Sequence, residues 1–172
     1  MAKLLVGILI LSGIAWAEDA KSVLDGDKLA RGFDMGLDSG EQKRDWIKKD
    51  DGGFRLSYPA KQGWGAVFFT IGAPAKRPRP GMDFSAYKTL VVEMRGAGGG
   101  ERVAIGIKSN TQADDGSEVK LEETLTSEWK AYRFSLARFR GADLRNLFVA
   151  AEVVFDGDQP RTVFVRAIKY VP

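Results

Sequence analysis

From residue 54 onward short apolar runs alternate with turn residues at a spacing of about ten. Runs near residues 54 to 58, 65 to 71, 89 to 95, 102 to 108, 118 to 125, 130 to 136, 147 to 155 and 162 to 170 are each bounded by Gly, Pro, Asp or Asn, and each has strand length. Val103, Ile105 and Ile107 share one face of such a strand, and Ala104, Gly106 and Lys108 share the other, because side chains alternate along a pleated backbone. Tyr132, Phe134 and Leu136 repeat the pattern. No long stretch carries the 3.6-residue period of an amphipathic helix, so the predicted fold is all-β, an antiparallel sandwich rather than a parallel sheet with crossover helices. Ahead of residue 54 the chain is polar, with Asp25-Gly26-Asp27, Asp38-Ser39-Gly40 and Asp50-Asp51-Gly52-Gly53 marking turns. One further short strand is expected around Asp45 to Lys48.

Charge interrupts this pattern mid-strand. Glu93 and Arg95 alternate with Leu90, Val92 and Met94; Glu152 sits between Ala151 and Val153, and Arg166 follows Val165. If these strands are neighbours, Glu93, Arg95, Lys108, Glu152 and Arg166 form a polar shelf on one sheet face, with small Ala104, Gly106 and Ala150 leaving room above it. Such a shelf is either a ligand-binding face or a solvated outer face laced by cross-strand ion pairs.

The first residues read as an address. Lys3 precedes an apolar run from Leu4 to Ile14, and Ala15-Trp16-Ala17 supplies the small residues of a signal-peptidase site. At about 11 residues the run is short of the roughly 20 that a spanning helix needs, so a cleaved signal over residues 1–17 is expected. The mature chain, residues 18–172, has the length of one domain and no span, and a periplasmic or secreted product follows. No linker or internal repeat divides it. The chain has no cysteine and no histidine, which excludes disulfides, thiolate nucleophiles, Cys-rich zinc sites and the Ser-His-Asp engine. A net charge of +3 spread along the sequence gives no reason to expect nucleic acid.

Five pieces in order carry a family resemblance. Tyr58-Pro59 is followed by Gly63-Trp64-Gly65-Ala66-Val67, then by Pro80-Gly81-Met82-Asp83-Phe84-Ser85-Ala86-Tyr87 and by Glu93-Met94-Arg95-Gly96-Ala97-Gly98-Gly99-Gly100-Glu101. Leu125-Thr126-Ser127-Glu128-Trp129-Lys130-Ala131-Tyr132 and Ala142-Asp143-Leu144 complete the set. Over residues 54–171 the chain resembles the galactose-binding-like β-jelly-roll domains of carbohydrate-binding modules. The resemblance implies a jelly-roll sandwich that binds a polysaccharide or oligosaccharide without chemical change. Members commonly carry an acidic residue in the last strand that helps hold calcium; here Phe164-Val165-Arg166-Ala167-Ile168 stands there. A hard cation wants oxygens, which puts the structural calcium that the resemblance implies in doubt, and no other cofactor is expected.

Several residues have two readings. Trp64, beside Lys61-Gln62-Gly63, either stacks on a sugar ring or closes the end of the core; Trp46 has the same ambiguity, and Trp129 is expected in the core. The segment from Lys108 through Asn110 to Glu118 is dense in groups that hydrogen-bond hydroxyls, yet turn chemistry alone explains it. Gly96 to Gly100 is read as a hairpin turn, since a strand rather than a helix follows. Lys76-Arg77-Pro78-Arg79-Pro80 either meets an anionic partner or is a solvated loop. Glu93 and Glu152 form the one carboxylate pair considered for glycoside hydrolysis, but nearby Arg95, Lys108 and Arg166 would keep both ionised. The expectation is therefore a binding module, not an enzyme, with Trp64, Glu93, Arg95, Lys108, Asn110, Glu152 and Arg166 as ligand-binding residues. A module docking on an envelope protein is the alternative, and a glycoside hydrolase or lyase the third.

Overall fold

The structure, a computed structural model, describes residues 20–39 and 45–172; the expected signal over residues 1–17 lies outside the described residues. Twelve strands follow in order: β1 Lys21–Asp25, β2 Lys28–Leu29, β3 Phe33–Ser39, β4 Ile47–Asp50, β5 Gly53–Tyr58, β6 Trp64–Ile71, β7 Thr89–Gly96, β8 Arg102–Ser109, β9 Lys120–Thr124, β10 Lys130–Ser135, β11 Leu147–Asp156 and β12 Arg161–Val171. All eight expected strands from residue 54 on are present within a few residues, and β4 overlaps the short strand expected at Asp45 to Lys48. β1, β2 and β3 were not foreseen. β1 and β2 are only 5 and 2 residues long, and β3 carries Asp34, Gly36, Asp38 and Ser39 between its apolar positions, so the segment reads as polar and turn-rich.

All pairings are antiparallel. The first sheet runs β10-β7-β12. Long β12 then serves two partners: Arg161–Val165 pairs with β5, which carries β4, and Ala167–Tyr170 pairs with β1, which carries β2. The second sheet has the order β3-β6-β11-β8-β9. This is a two-layer jelly-roll sandwich.

Alternate residues of each sheet meet between the layers. Val67, Phe69 and Ile71, Val103, Ile105 and Ile107, and Ala151, Val153 and Phe155 come from the second sheet; Leu56, Tyr58, Leu90, Val92, Met94, Val163, Val165, Ile168 and Tyr170 come from the first. Two core phenols find partners: Tyr170 Oη donates to the Ala150 carbonyl at 2.5 Å, and Tyr132 Oη accepts from Thr126 N at 3.0 Å. Burial pushes the Tyr170 phenol far above its ordinary range. Ala150, expected beside the polar shelf, belongs to the core instead, because the register of β11 shifts between Val149 and Ala151.

Gly96 to Gly100 is not a hairpin. β7 and β8 lie in different sheets, so this stretch carries the chain from one layer to the other. Gly99 and Gly100 take positive φ of 83° and 92°, and Gly98 N donates to Glu101 Oε1 at 2.7 Å, which fixes the sharp change of direction.

Candidate functional site

With its apolar positions filling the interlayer space, each sheet turns its other positions outward, and the sequence-derived residues divide between two opposite faces. Glu93, Arg95 and Arg166 lie on the outside of the first sheet. Trp129 joins them: in β10 Tyr132 and Phe134 point inward, and Trp129 has the opposite parity, so it lies half-buried on the outer face and not in the core as expected. Arg166 places its guanidinium 4.4 Å from the Trp129 ring centre and donates to Glu93 Oε1 at 2.6 Å. Arg95 lies 3.8 Å from the Phe164 ring centre and 5.3 Å from that of Trp129, and donates to Asp51 Oδ2 at 3.0 Å. Trp129 Nε1 donates to the same oxygen at 3.3 Å. The Arg95 hydrogen bond holds the Asp51 carboxyl below its ordinary range, and Glu93 raises the Arg166 guanidinium further. This cluster satisfies itself: the indole N–H is engaged and the guanidinium groups already cover the ring.

The outside of the second sheet is different. Trp64 opens β6 opposite Asp156 of β11, and at 46% exposure it is the one exposed large hydrophobic residue among those described. Two residues further along, Ala66, Val154 and Ala104 line up across β6, β11 and β8; in the next row Phe68, Glu152, Gly106 and Lys120 follow across four strands. Small side chains thus form a floor, and beside it lies a groove of about 220 Å³ lined by Arg102, Ala104, Lys120, Glu122, Val154 and Asp156. Its charged walls are held: Arg102 Nη2 meets Glu122 Oε2 at 2.8 Å, Arg161 Nη1 meets Asp156 Oδ1 at 3.2 Å, and Lys120 Nζ meets Glu118 Oε1 at 2.6 Å.

Behind the groove lies a buried polar cluster. Glu152, 6% exposed, lays its carboxyl over Gly106, where any Cβ would collide with Glu152 Oε1. Lys108 is equally buried, 3.1 Å from Asp114 Oδ1 and 3.4 Å from Glu118 Oε2. Arg79 donates to Asp114 Oδ2 and, at 2.9 Å, to the Gln112 carbonyl, with its guanidinium over the Phe148 ring. The basic proline loop is therefore pinned at Arg79 to the loop between β8 and β9. Burial alone would raise Asp114, but hydrogen bonds from Lys108 and Arg79 outweigh it and hold the carboxyl low. In Glu118 burial is likewise overcome, here chiefly by Lys120. In Glu152 the balance is reversed: burial first, then the Glu118 charge, outweigh the pull of Lys120 and Lys108 and push it up to about 7.

Asn110 stands at the far end of β8 from Arg102 and the groove, where its N–H donates to the Asn146 carbonyl at 2.8 Å. Of the seven expected residues, the structure therefore places Trp64, Lys108 and Glu152 on one face, with Asn110 at its end, and Glu93, Arg95 and Arg166 on the other. Glu93 and Glu152 cannot act as a facing pair. Sequence reasoning named Glu118 within the segment from Lys108 to Glu118 but missed Lys120 and Arg102; the signal for Lys120 is the alternation of β9, obscured by the turn-rich segment that precedes it, and Arg102 opens β8 on the face of Ala104. Among the described residues, no group of three Asp or Glu converges as a metal site, and no helix is long and apolar enough to cross a membrane.

A two-layer antiparallel sandwich with an open, grooved sheet face and an exposed tryptophan at its edge defines a jelly-roll binding module. Residues 26–172 match the family described as carbohydrate binding domain 30, and the chain belongs to that family. It is a non-catalytic carbohydrate-binding module in this domain. No curated protein sequence matches it. Solved structures share its fold at low identity. A family 11 carbohydrate-binding module from Clostridium thermocellum, in complex with a β-1,3-1,4-mixed-linked tetrasaccharide, is 16% identical with a TM-score of 0.63, over 89% of this chain and 95% of that one. The family 30 module of a cellulosomal cellulase from the same organism is 16% identical with a TM-score of 0.61, over 88% of this chain and 96% of that one. A family 29 module complexed with mannohexaose is 14% identical with a TM-score of 0.55, over 88% and 89%.

Proposed function

We propose that the module binds a linear, uncharged glycan of the glucan or mannan type across the outer face of the second sheet. The observation that carries this reading is the exposed indole of Trp64 at the edge of a floor made of Ala66, Val154 and Ala104. A sugar ring offers C–H groups to a flat π surface, and small floor residues let a chain lie close while Lys120, Glu122 and Arg102 meet its hydroxyls. The glycans bound by the family 11 and family 29 structures support the choice of ligand class. The outer face of the first sheet is less suited, since its aromatic ring and carboxylates already have partners.

Calorimetric titration with a mixed-linked β-glucan tetrasaccharide and with mannohexaose tests the assignment. Trp64→Ala is expected to weaken binding about tenfold, the equivalent of ~1.4 kcal/mol, and Arg95→Ala to leave it unchanged. Equal affinity of wild type and Trp64→Ala would move the site elsewhere, and retention of an envelope protein with no glycan bound would replace the reading by protein docking. The leader-like pattern of residues 1–17 supports export of the module to the periplasm or beyond. N-terminal sequencing of the protein recovered outside the cytoplasm is expected to begin at Glu18; an intact Met1 would contradict processing.

A further inference from the structure

This inference rests on the glycan reading and concerns the wall of the same groove. Lys120 links groove and buried cluster: it lines the groove, and its Nζ contacts Glu118 Oε1 at 2.6 Å and donates to the Gly116 carbonyl at 3.0 Å. Behind Lys120, Glu152 lays its carboxyl over Gly106, the register partner of Lys120, which brings it beside the Glu118 carboxyl that Lys120 holds. Both side chains are buried; Glu152 Oε1 has no hydrogen-bond donor, and Glu118 Oε2 has only the longer ion pair with Lys108 at 3.4 Å.

The groups facing Glu152 from the surrounding elements are few. Lys108 comes from β8 and is engaged with Asp114, which Arg79 also holds, and more distantly with Glu118. Lys120 comes from β9 and is engaged with Glu118. The neighbours in register on β6 and β8, Phe68 and Gly106, bring no charge. Among the described residues no cation forms an ion pair with Glu152. A buried carboxyl without an ion pair beside a buried carboxylate is compatible with it when it carries a proton, and the two repel when that proton is lost.

We propose that Glu152 is a positioning residue of the glycan site: in its protonated form it donates to Glu118 and so, through Glu118, holds Lys120 in the groove wall, and loss of that proton frees Lys120 and weakens glycan binding. The raised carboxyl of Glu152, at about 7, puts this event in the neutral range. The chain has no histidine or cysteine to titrate there, and an uncharged glycan contributes no titration of its own.

The test pairs a ligand measurement with a ligand-free one. Titration with the mixed-linked tetrasaccharide at pH 5.5, 7 and 8.5 is expected to show wild-type affinity falling at least threefold across the range and Glu152→Gln affinity staying flat. Without ligand, amide exchange over residues 117–122 is expected to quicken with pH beyond its intrinsic rate in wild type only, and the Glu152 side-chain carbon to titrate near 7 by NMR. A Glu152 carbon titrating near 4.5, or a Glu152→Gln protein that keeps the wild-type pH profile, would overturn the proposal. Absence of glycan binding at every pH, with the ligand-free results as expected, would overturn the glycan reading while supporting the proton-held wall.

Discussion

Trp46→Ala is expected to lower the unfolding free energy by about 3–5 kcal/mol, the cost of deleting a large aromatic side chain from a packed core. Trp46 is 1% exposed and stands edge-on to two rings, Tyr58 at 5.2 Å and 87° and Phe155 at 6.3 Å and 86°. Those two rings stack on each other at 5.1 Å, and Tyr58 Oη donates to the Gly157 carbonyl at 2.6 Å. Its indole fills the space over Gly65, where any Cβ would collide with the ring. Removing the indole leaves a cavity bounded by residues from β5, β6 and β11, which are already held in two sheets and have little freedom to collapse into it. Trp64→Ala, one residue from that glycine but on the opposite face of β6, is expected to change stability by no more than about 0.5 kcal/mol. Urea unfolding of both variants measures the contrast. A loss below about 1 kcal/mol for Trp46→Ala would show that the aromatic cluster does not hold the end of the sandwich.

The two tryptophans also show what the sequence made legible. Both stood in polar, turn-rich surroundings and had the same two readings, because the parity that separates them belongs to the strand pairing and not to the local sequence. Trp46 precedes β4 and reaches under β6 only because the first and second sheets face each other there. Trp129 differs: its parity against the core residues Tyr132 and Phe134 already turns it outward, but it stands one residue ahead of β10, where the alternation of that strand has to be carried past its first residue. The eight later strands were readable because each carries its own apolar alternation. β1 and β2 are too short to show it, and β3 shows it in Phe33, Met35 and Leu37 amid turn residues; among the described residues of that segment, Val23, Leu24, Phe33, Leu37 and Trp46 are buried in the core.

The polar shelf failed on topology. Alternation correctly turned Glu93, Arg95, Lys108, Glu152 and Arg166 away from the core, but it carries no information about which sheet each strand joins. β7 and β12 pair in one layer and β8 and β11 in the other, so one expected surface became two. On the first, charges neutralise one another around Trp129, as the ion-pair reading held. On the second, Lys108 and Glu152 came together with Glu118 and Lys120, whose approach depends on a long loop folding back along β8. Such nonlocal placement is set by the whole sandwich.

Glu152 gives the second large effect, and its sign follows from proton linkage. Its folded carboxyl is raised to about 7 against an ordinary 4.5, so between those values the folded state holds a proton that the unfolded chain has released. Stability from this group is complete below about pH 4.5, falls as pH rises, and is lost above about 7, by roughly 3 kcal/mol for a difference of that size. Asp114 and Glu118 run the other way, since their folded carboxyls are held low and lose their contribution as the solution turns acid. The optimum is therefore expected near pH 5, between the two trends. In chemical denaturation at pH 5.5 and 8.5, wild type should lose most of that amount at the higher pH, whereas Glu152→Gln should be nearly flat and the more stable protein at pH 8.5. Glutamine keeps the shape over Gly106 and can donate to Glu118 without a proton to lose, so it removes the charge while leaving the packing in place. Parallel stability profiles for the two proteins would mean that Glu152 ionises without penalty and shares no proton with Glu118.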